Sequence, residues 1–182
     1  MRFASFILIL MGLASFSPGR GEEYIVTDTG TTTPINSGMF STVPSGTPFT
    51  FTVTYNTSTT TVTTGTTYTG PGVESYVDPS GTATLTFGSY SFSDSAPEFQ
   101  VFSDYAGGIY GYQFSDSAGE GDSFATKLWS VDSSVASDTT LSSIQSSPIS
   151  DFSLEKDFAI NTPDGGIGGI VTSFSVSEVA AP

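Results

Sequence analysis

Phe49-Thr50-Phe51-Thr52-Val53-Thr54-Tyr55 alternates apolar and polar residues without interruption. In a strand, successive side chains point to opposite faces. Phe49, Phe51, Val53 and Tyr55 therefore share one face, and three threonines share the other. One face requires a core and the other tolerates water. Much of the chain repeats this pattern in shorter runs, so the stretch decides the fold class.

Working outward, Tyr24-Ile25-Val26 marks a first strand over 22–27, followed by a long Thr-, Gly- and Pro-rich lead-in over 29–48 with room for a short strand near Met39-Phe40. Residues 56–69 are almost all Thr, Ser and Gly and read as a weak, polar edge strand or a long hairpin arm. Val73–Val77 is a short strand ended by the turn signal Asp78-Pro79-Ser80-Gly81. The alternation returns over 82–94, with a slip of phase after Phe87 that marks Gly88 as a bulge or bend. Strands follow at 98–103 and 109–115, then an acidic glycine-containing loop at 116–122, then 123–131 with the sole tryptophan, Trp129. Residues 132–147 lose the alternation and suit a helical turn in a loop. Residues 151–160 alternate again. Asp164–Gly169 reads as a flexible connector, and Ile170, Thr172, Phe174 and Val176 as one face of a last strand. About nine to ten strands at this spacing predict an all-β domain: an antiparallel β-sandwich, jelly-roll-like.

Composition agrees. The chain has 182 residues, 13% aromatic and only 12% charged, a mix that suits pleated surfaces and turns. Its length fits one domain. Arg2 and the apolar run Phe6–Ala14 form a secretory signal too short to span a bilayer. Gly19-Arg20-Gly21 precedes the preferred cleavage point, with a cut after Ala14 as the competitor. The domains are then a signal peptide, 1–21, and a single β-sandwich domain, 22–182, without a membrane span. Cleavage removes both arginines and leaves Lys127 and Lys156 against all 18 acidic residues. Such a surface repels nucleic acid and anionic lipid. Cysteine is absent, so a secreted domain must rely on its core, its sheet ladders or bound metal.

The tail Asp151-Phe152-Ser153-Leu154, with Gly165-Gly166-Ile167-Gly168-Gly169-Ile170-Val171-Thr172-Ser173-Phe174-Ser175-Val176, resembles the last hairpin of PEP-CTERM-type exported bacterial proteins. Those proteins carry a signal peptide, a small Thr- and Gly-rich β-domain and a sorting tail. The resemblance covers the β-domain and not the Val-Pro-Glu-Pro motif, span and basic cluster of the tail. It implies a secreted, cell-surface or extracellular-matrix location, with exopolysaccharide or other matrix proteins as partners. It implies no activity.

Residue types narrow the chemistry. With no His and no Cys, Ser-His-Asp and Cys-His catalysis and zinc sites built from those ligands are excluded. Asp28-Thr29-Gly30-Thr31 matches the aspartic-protease loop in letters but lacks a second copy, and reads as an Asp-Gly turn. Ser153-Leu154-Glu155-Lys156 spells S-x-x-K, yet in a strand Ser153 and Lys156 face opposite ways. No pair of carboxylates stands out for glycoside hydrolysis. Asp116, Glu120 and Asp122 supply hard oxygens on a flexible loop and are the candidate calcium ligands; Asp94, Glu98 and Asp104 form a looser group. Tyr110, Tyr112 and Trp129, with Tyr105, are the candidate sugar-stacking residues, although Tyr110 and Tyr112 share a face with Phe114 and also suit a core. The run Thr57–Thr69 lacks the regular repeat of an ice-binding Thr array, and Asn56-Thr57-Ser58 is a glycosylation sequon. The expectation is a non-enzymatic exported surface or matrix protein, with a calcium-assisted carbohydrate-binding module as the alternative.

Overall fold

The computed structural model describes residues 21–63, 68–115 and 123–179. The segment read as a signal peptide, apart from Gly21, and the calcium candidates Asp116, Glu120 and Asp122 lie outside them. The strands are β1 (Glu23–Asn36), β2 (Pro48–Asn56), β3 (Thr61–Val62), β4 (Val73–Val77), β5 (Thr82–Phe87), β6 (Tyr90–Ser95), β7 (Glu98–Tyr105), β8 (Ile109–Ser115), β9 (Ser123–Ser130), β10 (Glu155–Thr162) and β11 (Gly165–Val179). Single turns of 3-10 helix occur at Gly38–Phe40, Leu141–Ser143 and Ile149–Asp151. No helix among the described residues is long and apolar enough to cross a membrane.

The expected sandwich, with its jelly-roll character and nine to ten strands, is not formed. All eleven strands belong to one antiparallel sheet, ordered β3-β4-β7-β8-β9-β10-β11-β1-β2-β5-β6. The sheet is open, because its edges β3 and β6 do not pair with each other. A sandwich needs a break in the ladder between two sheets. Here β11 closes that break by pairing with β10 on one side and β1 on the other. The residues 165–169, read from sequence as a connector, are part of the stretch of β11 that pairs with β10.

Chain connectivity sets the shape of this sheet. Only Ala96 and Pro97 link β6 to β7, which stand eight places apart in the strand order. A flat sheet would separate them by about 38 Å at ~4.8 Å per strand, whereas three peptide units span at most about 11 Å. The two ends of the sheet therefore lie close together over its apolar face, with no ladder joining them. Ring contacts agree: Phe51 of β2 meets Phe124 of β9 at 5.6 Å, and Tyr55 of β2 meets Phe99 of β7 at 5.0 Å. The core forms on this inner face.

The sequence alternation of β2 is realised in full. Phe49, Phe51, Val53 and Tyr55 are at most 2% exposed, while Thr50, Thr52 and Thr54 face outward. Gly88 is not a bulge within one strand: it opens the turn between β5 and β6 at φ +55°. The phase slip at that point is the chain reversing. In β11 the inward residues are Val171 and Phe174, not Ile170, which is 51% exposed. Thr172 is the extra residue of a bulge, since Val171 pairs with Gly30 and Ser173 with Thr29; one extra residue exchanges the faces beyond it.

Candidate functional site

Asp28 is not in a turn. It lies within β1, paired with Phe51 and Phe174, and is fully buried. Neither carboxylate oxygen has a hydrogen-bond partner among the described residues. Burial pushes its carboxyl up to about 7, with the Thr126 hydroxyl acting the other way from outside hydrogen-bond geometry. Asp78 is the contrasting case. It too is buried, but its carboxylate accepts the Asn56 and Ser80 N–H groups at 2.6 and 2.9 Å and the hydroxyls of Thr59 and Ser80 at 2.7 and 2.8 Å. Burial would raise this carboxyl, and those four donors hold it below the ordinary range. It ties the end of β2 to the β4–β5 turn.

Of the aromatic candidates only Tyr105 and Trp129 come together, both packing against Phe102 and Tyr68. Tyr112 is wholly buried on the inner face, stacked on Phe174 at 5.6 Å, and its hydroxyl donates to the backbone carbonyl oxygens of Ser143 (2.6 Å) and Val135. Tyr110 is half-buried against the same core. Trp129 lies on the opposite, outer face, 8% exposed, with Phe102 and Tyr68 at 5.2 and 5.3 Å. Among the described residues no group of three acids stands close enough to hold a metal ion, so Asp94, Glu98 and Asp104 form no such cluster.

Two features of the outer face were not foreseen. The first is a groove of about 240 Å³ over β8, β9 and β10. Three cross-strand rows of side chains lie at or beside it. Gln113, Lys127 and Asp157 pair directly across the three strands. Ala125 and Ala159 form the row on one side, and Trp129 and Glu155 the row on the other. Tyr68 adds an aromatic wall. Lys127 Nζ is 3.0 Å from Glu155 Oε2 and 4.7 Å from the centre of the Trp129 ring. Partial burial pushes its ammonium down, but Glu155 and Tyr68 together outweigh burial and hold it above the ordinary lysine range. Gln113 is 6% exposed, and its Oε1 has no hydrogen-bond partner among the described residues. A larger hollow, about 510 Å³, is lined by Tyr24, Tyr76 and residues near Leu141. Its polar groups are already engaged with one another, as in Tyr24 to Glu22 at 2.6 Å and Tyr76 to the Thr139 carbonyl at 2.8 Å.

The second feature is a field of hydroxyls over β11, β1, β2, β5 and β6. Strand pairing aligns Ser175, Thr27, Thr52, Thr84 and Ser93 in one row. Ser173, Thr29, Thr50, Thr86 and Ser91 form the next. Ser177, Ile25, Thr54, Thr82 and Ser95 form the third. Every one of these positions is exposed or half-buried, none is charged, and Ile25 alone lacks a hydroxyl. Rows along a strand repeat every ~6.8 Å, and neighbouring strands stand ~4.8 Å apart. Part of the field is internally bonded, as in Thr54 Oγ1 to Thr82 Oγ1 at 2.8 Å. The sequence signal was available strand by strand, as Ser and Thr in the outward phase. Their assembly into rows depends on register, and the Thr57–Thr69 run that first suggested an array contributes none of them. No protein-family model, curated protein or solved structure matches this chain.

Proposed function

We propose that the chain is a non-enzymatic exported domain of the cell surface or extracellular matrix, and that it works by adhesion through the hydroxyl field. The uncharged field is the observation that carries this reading. In a chain with 18 acidic residues and four basic ones, it is a surface that a neutral polymer can cover without burying a charge. Each hydroxyl both donates and accepts, which matches the hydroxyl-rich surface of a polysaccharide. Strand-borne positions also lose little freedom on contact. The secretory signal and the resemblance to PEP-CTERM-type β-domains support such a contact outside the cell.

The test is retention of the purified protein on insoluble polysaccharides, in calcium and in chelator. The variant Thr50→Glu/Thr84→Glu puts two carboxylates in the middle of the field without touching the core. We expect at least one polysaccharide to retain the wild type and to retain the variant severalfold less. Equal retention of both proteins would overturn the role of the field. Retention seen only in calcium would assign adhesion to the calcium-assisted reading and to Asp116, Glu120 and Asp122.

A further inference from the structure

We infer that the groove over β8, β9 and β10 is a second, separate site, which takes a single neutral sugar residue. The inference goes beyond the hydroxyl field, which lies on other strands. It shares with that reading only the class of ligand.

The argument starts from Gln113. Its side chain is 6% exposed, and its Oε1 accepts no hydrogen bond among the described residues. A buried acceptor left unpaired costs free energy, which a ligand donor recovers once the Gln113 side chain turns its amide oxygen toward the groove it lines. The next member of the same cross-strand row is Lys127, a donor, and the next is Asp157, an exposed acceptor. The row therefore reads acceptor, donor, acceptor at ~4.8 Å intervals. Lys127 is not a free-swinging cation, because Glu155 and the Trp129 ring hold it. The alanines at 125 and 159 leave room beside the row, and Tyr68 walls it with a ring.

This set of groups selects its ligand by charge and by pattern. An anion such as phosphate meets Asp157 and Glu155 at close range. A metal cation meets the Lys127 ammonium in the middle of the row. A purely apolar ligand leaves Gln113 unpaired. A neutral polyhydroxylated ring satisfies all three polar groups, since each of its hydroxyls donates and accepts, and it sets its C–H face toward an aromatic wall.

Trp129, the only tryptophan, reports on the site, because Lys127 lies over its ring. The experiment titrates the purified protein with short oligosaccharides of glucose, galactose, mannose and N-acetylglucosamine while following tryptophan emission. At least one is expected to give a saturable change. Gln113→Met removes the buried acceptor at similar volume, and Asp157→Ala removes the exposed acceptor at a surface position. Each is expected to raise the Kd about tenfold or more. Thr50→Glu/Thr84→Glu is expected to leave the emission titration unchanged, so the groove and the field succeed or fail independently. No saturable change with any of the four sugars would overturn the inference. So would an Asp157→Ala protein that binds like the wild type.

Discussion

Replacing Asp28 with asparagine should make the protein more stable at neutral pH and remove much of its pH dependence. The carboxyl is fully buried, and burial raises it from 3.8 to about 7. In the unfolded chain it ionises near pH 4; in the folded chain it stays protonated until about pH 7. Below pH 4 both states hold the proton and the group contributes no difference. Between pH 4 and 7 the folded state binds more protons, so stability falls as pH rises, by about 1.4 kcal/mol per pH unit. Over three units that is roughly 4 kcal/mol, a large fraction of the stability of an ordinary domain. Above pH 7 the loss is complete and the curve flattens. The amide of the Asp28→Asn variant has no ionisable group and nearly the same shape as the carboxyl. Urea unfolding at pH 4, 5.5, 7 and 8, on both proteins, isolates the term as a difference, so that repulsion among the surface acids cancels. The two proteins should be nearly equal at pH 4 and should diverge steadily up to pH 7. Parallel curves would refute the reasoning, because they would mean that the carboxyl ionises in the fold as easily as outside it.

Asp78 should behave in the opposite sense. Its donors hold the folded carboxyl low, so its contribution is present above pH 4 and is lost as pH falls. Asp78→Ala removes the acceptor of the Asn56 and Ser80 N–H groups, while the Thr59 and Ser80 hydroxyls keep each other, and should cost about 2–3 kcal/mol at pH 7 in the same unfolding assay. Gly169→Ala should be as damaging from a different cause. A Cβ there would stand 2.2 Å from Phe158 Cε1 and 2.5 Å from the Thr31 carbonyl oxygen. The two-sided clash should cost about 1–3 kcal/mol, read as a lowered melting temperature.

What the sequence revealed was whatever depends on neighbours within a strand. The alternation of Phe49–Tyr55 gave its buried face correctly, Val73–Val77 and Ile109–Ser115 were legible to the residue, and Asp78-Pro79-Ser80-Gly81 is the turn it spells. What stayed hidden depends on partners far along the chain. Asp28-Thr29-Gly30 has turn chemistry locally, yet β2 and β11 pair with it on both sides and hold it extended. Gly165–Gly169 has the composition of a linker. Gly169 is a strand residue because the Phe158 ring occupies the space that a side chain would need. The sandwich was expected from the number and spacing of the strands, which do not show that β11 joins β10 to β1 in one sheet. The candidate sites follow the same division. Single residues such as Trp129 were visible, but the row Gln113–Lys127–Asp157 and the hydroxyl rows exist only once register is known.

The position of β11 bears on how the chain comes to be folded at all. β11 follows the ten other described strands in the chain, yet it is an interior strand of the sheet, and its two ladders are the ones that join β10 to β1. Until Gly165–Val179 has been synthesised, the preceding strands can form at most two separate blocks, one ending at β1 and the other at β10, each presenting a long bare edge. Those edges are apolar on one side and able to pair with any passing strand. Completion also requires contacts spanning nearly the whole sequence, the class of topology that folds slowly. A chain cut short before this last strand of 15 residues is therefore expected to aggregate rather than to fold less stably.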